Sequence, residues 1–362
     1  MKVYFLVFVL TLLAQFIPVR DSKQYWWRTV CSFIPLFLFM ALRKDYGVDE
    51  YGYHDFFDGV HMLSWNNMYS ANDHMEPGYA ILNKIMPTYQ SLIAFISFIN
   101  CWALSFLIYR FVPAKYSWLT ILLLFLTPST TIFFMISGIR NGLAASILIL
   151  STYFLLGEKR KLVPYVLLGI VATSIHTSAL AMFVVMYMLS YGSAISSRGV
   201  VIWMVVMMMA SFASLSSMAN TFMPVIEMFM GRYVEQVDGL AEIADERGMI
   251  GALAGIVLAA GILYFLNNNK NPAIVKDNYS KYKWALFYCF SFTLGILGGR
   301  MGQYTIYYFI VATTCLFAYW AKPAFKYGYL IIILYFFRLT FMGWISNPYF
   351  KYWAYSSILG EF

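Results

Sequence analysis

Five ionisable side chains lie within or at the edge of long apolar stretches, where charge is costly and indicates function. They are four arginines and one histidine: Arg43, Arg140, Arg300, Arg338 and His176. Arginine suits phosphate, because its planar guanidinium donates paired hydrogen bonds to two oxygens. For any single arginine, snorkelling to lipid headgroups is the alternative. As a set, the arginines predict a phosphate-binding site.

The composition predicts a membrane protein. Of the 362 residues, 61% are apolar and 12% are charged, and the mean hydropathy is +0.67. A soluble domain of this length is normally about a quarter charged, and it cannot bury so much apolar surface behind so little polar surface. A soluble enzyme, a disordered protein and a nucleic-acid binder are therefore excluded. We expect an all-α, polytopic membrane protein.

The apolar runs predict about twelve transmembrane helices. Single spans are expected near residues 3–19, 29–42, 89–109, 199–217, 248–266 and 327–345. Three further stretches are too long for one crossing and are expected to fold back as hairpins: 116–156, 162–197 and 284–321. Apart from tyrosines and cysteines, each hairpin contains one ionisable side chain, and these are Arg140, His176 and Arg300 respectively. Each of these side chains is expected near the turn of its hairpin.

The distribution of basic residues predicts the orientation. Most of the 25 lysines and arginines fall in short links on one side of the membrane, which is therefore expected to be the inner side. The net charge of +8 then reflects topology rather than an acidic partner. Both termini and two larger segments, 43–88 and 218–247, are expected outside. The second segment has the pattern of an amphipathic helix on the membrane surface, within a single membrane domain of residues 1–362.

This topology places the polar residues at one level of the membrane. The three hairpin residues would share the outer face, with Arg338 in the outer half of the last span and Arg43 where the second span emerges. The outer segment 43–88 combines carboxylates with aromatic rings, a combination that is common in sugar-binding sites. A solvated acidic loop is the alternative for that segment.

Six short motifs follow one another along the chain. They are Arg-x-x-x-Gly-x-Asp-x-x-x-Tyr from Arg43, Glu-Pro-Gly-Tyr from Glu76, Ile-Arg-Asn-Gly from Ile139, Ile-His-Thr-Ser from Ile175, Gly-Arg ahead of Tyr304, and Asn-Pro-Tyr from Asn347. With them the chain resembles the EpsG-like Wzy polymerases, which join the repeat units of O-antigens, capsules and exopolysaccharides. The resemblance runs from about residue 40 to 352. Two positions differ from those proteins. Asn141 stands where they commonly have glutamine, and Asp49-Glu50 stands where they commonly have Asp-Tyr.

The resemblance implies a metal-independent membrane glycosyltransferase of the GT-C type, without a cofactor, in the bacterial cytoplasmic membrane. Its substrates are expected to be oligosaccharides linked to undecaprenyl diphosphate, bound at a site facing outside. A chain-length regulator and a flippase are the expected protein partners, and membrane lipid surrounds the chain.

The resemblance also implies roles for individual residues. For the diphosphate, the expected ligands are Arg140, Arg300 and Arg338, with Arg43 next. A base near the acceptor hydroxyl is expected among His176, Asp49 and Glu76. The sugar-binding candidates are Asp45, Tyr51, Tyr53, Tyr79 and Tyr304.

Other interpretations stay open. His176 could instead cap a hairpin turn, and Asp45 or Glu76-Pro77 could begin helices and turns. An O-antigen ligase has similar chemistry, and a lipid-linked oligosaccharide flippase or other transporter also suits twelve spans. A transporter of the major-facilitator type should show two similar halves and a long inner middle loop, whereas the link around Arg198 is short.

Overall fold

The structure, a computed structural model, describes residues 2–44, 46–47, 49–71, 75–127, 131–155, 161–191, 298–319, 323–345 and 355–361. The chain forms two compact units, one of residues 1–190 with 328–362 and the other of residues 191–327. The predicted spans at 199–217 and 248–266 and the predicted surface helix within 218–247 lie outside the described residues.

Helices dominate the described residues, in agreement with the predicted all-α class. In the first half of the chain they are α1 (Lys2–Ala14), α2 (Ser22–Ser32), α3 (Ile34–Ala41), α4 (Glu50–Met62), α5 (Pro77–Ile85), α6 (Tyr89–Phe111), α7 (Ser117–Leu126), α8 (Ile132–Ser137), α9 (Ile139–Leu155), α10 (Leu162–Ile175) and α11 (Ala179–Tyr191). Two further helices, α12 (Gly298–Tyr319) and α13 (Pro323–Ile345), follow in the second half. Short 3-10 helices cover Met68–Ala71 and Ala114–Tyr116.

Among the described residues, α6 is the helix that is long and apolar enough to cross a membrane, with 23 residues and a mean hydropathy of 2.1. It agrees with the span predicted at 89–109. Its start is set by a reciprocal cap, because the side chains of Thr88 and Ser91 each accept a hydrogen bond from the other's backbone amide. Shorter apolar helices of 10–17 residues, α1, α9 and α10 among them, occupy other predicted spans.

The long apolar stretches are broken close to their polar residues. The stretch at 116–156 is divided among α7, α8 and α9, and Gly138 separates the last two just before Arg140. In the stretch at 162–197, α10 ends at Ile175 and α11 begins at Ala179, so that His176 lies in the turn between them. Helix α9 packs along both α6 and α10. Both polar residues therefore lie at helix ends.

The span predicted at 29–42 is two helices. Helix α2 ends at Ser32, and α3 begins at Ile34 with Pro35 in its first turn. Proline has no backbone N–H and is compatible with the start of a helix but not with its interior. The continuous helix that the apolar run predicted is therefore interrupted at Phe33.

A small antiparallel sheet joins distant parts of the first unit. Strand β1 (Arg43–Lys44) pairs with β2 (Ser356–Ser357), which in turn pairs with β3 (Gly360–Glu361). The ring of Tyr355 stacks on Phe39 with the centroids 4.6 Å apart. The segment at 355–361 therefore lies against the beginning of segment 43–88.

Candidate functional site

The position of Glu76 is set by a close approach of two helices. Glu76 is the residue that precedes α5, with Pro77 as the first helical residue. A Cβ atom on Gly78 would lie 2.2 Å from Ser174 Oγ and 2.7 Å from the Ser174 carbonyl oxygen. Glycine therefore allows the start of α5 to lie directly against the end of α10. This contact brings the carboxylate of Glu76 to the turn that follows α10.

The Glu76 carboxylate connects three of the sequence motifs. Its Oε1 atom accepts hydrogen bonds from His176 Nδ1 at 2.8 Å, from the Thr177 backbone N–H at 3.1 Å and from Thr177 Oγ1 at 3.1 Å. Its Oε2 atom pairs with Nη1 of Arg140, at the start of α9. We call Glu76, Arg140, His176 and Thr177 the Glu76 cluster.

The electrostatics of the Glu76 cluster keep its carboxylate ionised. Burial by itself would raise the pKa of Glu76, but the hydrogen bond from His176 and the positive charge of Arg140 outweigh it and lower the pKa to about 2. An ionised carboxylate can only accept hydrogen bonds. The proton between Glu76 and His176 is therefore carried by Nδ1 of the imidazole.

Arg140 is partly accessible, with 17% of its side chain exposed. Its guanidinium carbon lies 5.7 Å from the ring centroid of Tyr53 and 5.9 Å from that of Tyr79, within the range of cation–π contacts. The Glu76 carboxylate and the two tyrosine rings therefore hold the guanidinium of Arg140 while part of its surface stays accessible.

Arg43 has different surroundings. Its side chain is 2% exposed, and Nε lies 3.5 Å from Oε2 of Glu50. Its Nη1 and Nη2 atoms donate to the carbonyl oxygens of Met40 and Ile136 at 2.9 and 3.2 Å. These contacts tie the end of α3 to α8. The diphosphate role proposed for Arg43 stays a prediction, and the observed contacts are those of a structural ion pair.

The remaining predicted residues are spread over several environments. Tyr53 and Tyr79 are buried beside Arg140, Tyr51 is 70% exposed, and Asp49 is exposed just before α4. Arg338 is exposed on α13. Arg300 lies in the first turn of α12, and Tyr304 is buried in the same helix of the second unit. Asp45 is outside the described residues. The diphosphate roles of Arg300 and Arg338 and the sugar-binding roles stay predictions.

The sequence did not predict three residues that have clear contacts in or around the site. Thr177 adds two donors to Glu76, Glu50 pairs with Arg43, and Gly78 permits the helix contact. Thr177 had a signal, because it directly follows His176 within a motif. No sequence signal identified Glu50 as the partner of Arg43. A buried arginine needs a carboxylate, but the sequence does not show which carboxylate lies near it.

Among the described residues, no group of three or more His, Cys, Asp or Glu side chains could hold a metal ion. In this part of the chain, one carboxylate holds an arginine and a histidine at the ends of apolar helices. These features are those of a membrane protein with a buried polar site.

The chain belongs to the EpsG family, because the model of that family matches residues 26–357. This match confirms the resemblance found in the motifs. Membership in this family suggests a polymerase-type role in polysaccharide biosynthesis at a membrane. No curated protein and no solved structure gave a significant match to the chain.

Proposed function

We propose that this protein is a glycosyltransferase that joins oligosaccharide repeat units carried on undecaprenyl diphosphate, at the outer face of the bacterial cytoplasmic membrane. Family membership supports the polymerase class. The observation that carries the proposal is Arg140, which is held by Glu76 beside His176, lies against two tyrosine rings and is partly exposed. A diphosphate oxygen is a suitable acceptor for guanidinium donors.

The proposed reaction transfers a glycan between two lipid-linked substrates. A hydroxyl of the acceptor repeat unit attacks the anomeric carbon of the donor glycan, and a new glycosidic C–O bond forms. The bond between that carbon and the phosphate oxygen breaks, and undecaprenyl diphosphate leaves with the bonding electrons. The hydroxyl proton passes to a base or to the departing phosphate. The chemical demand on the protein is to stabilise negative charge that grows on the leaving group.

The Glu76 cluster contains groups that are proposed to stabilise the charge on the leaving diphosphate. Arg140 is proposed to hydrogen-bond the leaving diphosphate without help from a metal ion, and the Tyr53 and Tyr79 rings support its guanidinium. His176, on the other side of the Glu76 carboxylate, is proposed to receive the acceptor proton or to contact the diphosphate. Arg300 and Arg338 are proposed as further diphosphate ligands.

The proposed polymerase is tested with the full-length protein in lipid nanodiscs and a single repeat unit on undecaprenyl diphosphate as substrate. We expect a ladder of longer glycans and one released undecaprenyl diphosphate for each bond formed. In cells, deletion of the gene should remove long-chain surface polysaccharide while single units still reach the surface. An unchanged ladder in the deletion strain would overturn the proposal.

The two alternative functions give different results in the same deletion strain. If the protein is a ligase, the polymer is made but is not attached to its final carrier. If it is a flippase, lipid-linked precursor accumulates in the inner leaflet and no single-unit glycan reaches the surface. Either result would replace the proposed polymerase activity.

A further inference from the structure

We infer that Glu76 is the positioning residue of this site, which holds Arg140 and His176 in one arrangement, and is not itself the group that accepts the proton. This inference rests on the proposed polymerase function, because it assigns a role within that reaction. It also replaces the sequence-based hypothesis that Glu76 is a base.

The first argument is the hydrogen-bonding capacity of the carboxylate. Four donors from three residues point at its two oxygens: Nδ1 of His176, N and Oγ1 of Thr177, and Nη1 of Arg140. To take a proton from a sugar, Glu76 would first have to give up bonds that stabilise its ionised form. A carboxylate in this state is a weak base.

The second argument is what these bonds do to the neighbouring groups. The bond from Nδ1 sets the ring orientation of His176 and makes Nε2 the basic nitrogen of the neutral imidazole. The bond to Nη1 sets the guanidinium plane of Arg140 against Tyr53 and Tyr79. One carboxylate therefore determines both the tautomer of the histidine and the direction of the arginine donors.

The third argument is that neither glutamine nor aspartate can replace glutamate here. A glutamine has one oxygen and one NH2 group, so its NH2 would face either the Arg140 guanidinium or the donors of His176 and Thr177. An aspartate keeps the charge but is shorter by one methylene and cannot reach both sides at the observed distances. Both substitutions are expected to release one of the two groups.

The test is a double-mutant cycle in the full-length protein, with kcat and KM measured on lipid-linked repeat units. Glu76→Gln and His176→Ala are each expected to lower kcat about 100-fold, a size typical for loss of one preorganised catalytic contact. The double variant should be no more than about threefold worse than His176→Ala, because residues that act as a unit have overlapping effects. The same overlap is expected between Glu76→Gln and Arg140→Ala. Effects that multiply, or an unchanged kcat in Glu76→Gln, would overturn the inference.

Two matched variants separate positioning from general damage. Glu50→Gln also removes a buried carboxylate from an ion pair, and it is expected to lower the melting temperature while each folded molecule keeps its kcat. Asp58→Asn alters a half-exposed carboxylate of the same outer segment and should change neither quantity. If Glu76→Gln does not fold, Glu76→Asp takes its place in the cycle.

The failure of the proposed function is distinguishable from the failure of this inference. If the wild-type protein makes no polymer from lipid-linked units, the proposed function fails. If the wild type is active and the Arg140 and His176 variants are inactive, but the cycle shows independent effects, then the positioning role alone is wrong.

Discussion

Two arginine–glutamate pairs lie among the described residues, and they have different surroundings. Arg43 pairs with Glu50, and its remaining nitrogens donate to backbone carbonyls, with 2% of the side chain exposed. Arg140 pairs with Glu76, lies beside two tyrosine rings and is 17% exposed. In the first pair, the carboxylate of Glu50 and two backbone carbonyls hold an arginine that is almost fully buried. In the second pair, the carboxylate is shared with His176 and the arginine is partly exposed.

The difference shows that a charged residue near the membrane is not by itself a site. A buried ion pair is costly to form, and losing one partner leaves an unpaired buried charge. Such a pair can hold a fold together without touching a substrate, as the contacts of Arg43 indicate. What distinguishes Arg140 is the combination of partial exposure, two neighbouring tyrosine rings and a carboxylate shared with His176.

The largest effect is expected for Arg140. Arg140→Ala should lower polymer formation about 100-fold or more, because a donor to the leaving diphosphate is lost. Arg140→Lys should rescue little, since lysine keeps the charge but lacks the planar fork. The measurement is the length and amount of polysaccharide in a deletion strain that expresses each variant, and the rate with purified protein.

The control for this variant is Arg110→Ala, which removes an exposed arginine at the end of α6 and should leave the polymer unchanged. We expect Arg300→Ala and Arg338→Ala to abolish the polymer as well while the chain still inserts into the membrane. Chain lengths near wild type in all three site variants would contradict the diphosphate model.

For the other pair, the expected effect is on stability rather than on chemistry. Arg43→Ala should cost about 3–5 kcal/mol of folding free energy, because Glu50 is left buried without its arginine. The melting temperature of the purified protein measures this cost. The value of kcat per folded molecule should stay within about threefold of wild type, because the Arg43 side chain is buried.

A double variant sharpens this comparison. Arg43→Met with Glu50→Leu removes both charges and should recover part of the lost stability. If instead Arg43→Ala melts like the wild type but makes no polymer, Arg43 contacts the substrate, as the sequence pattern suggested.

A smaller effect is expected for the helix contact beneath the Glu76 cluster. Gly78→Ala places a methyl group 2.2 Å from Ser174 Oγ, so α5 must move away from α10 and carry Glu76 with it. We expect about a tenfold loss of kcat, since small misplacements of catalytic groups are costly. Gly52→Ala is the matched control, because its added Cβ has no atom within 4 Å, and it should retain full activity. Equal activity of the two variants would show that the close approach does not position the cluster.

The smallest effect concerns pH. The pKa of Glu76 is lowered from 4.5 to about 2 in the folded protein, so its ionised form stabilises the fold at any pH above about 4.5. This contribution is lost as the pH falls through about 2. The difference in melting temperature between wild type and Glu76→Gln should therefore shrink as the pH falls below about 4.5. A difference that shrinks above pH 5 would restore Glu76 as a candidate base.

Much of the fold class could be predicted from the amino-acid sequence. The apolar composition predicted membrane helices, and the single polar residues in the long apolar stretches predicted breaks near Arg140 and His176, where the structure has helix ends. Hydropathy and helix breaking are local properties, so the sequence reports them directly. The motifs were also sufficient for the family, which the match over residues 26–357 confirms.

The tertiary structure alone decided which of these residues meet. Glu76 is 64 residues from Arg140 and 100 residues from His176 along the chain, and periodicity carries no information across such separations. The same holds for the pairing of β1 with β2, and for the choice of Glu50 as the partner of Arg43. Contacts of this kind depend on how helices pack, here on a glycine that lets α5 touch α10. For this reason the sequence determined the candidate residues, and the packing determined that one glutamate holds both the arginine and the histidine.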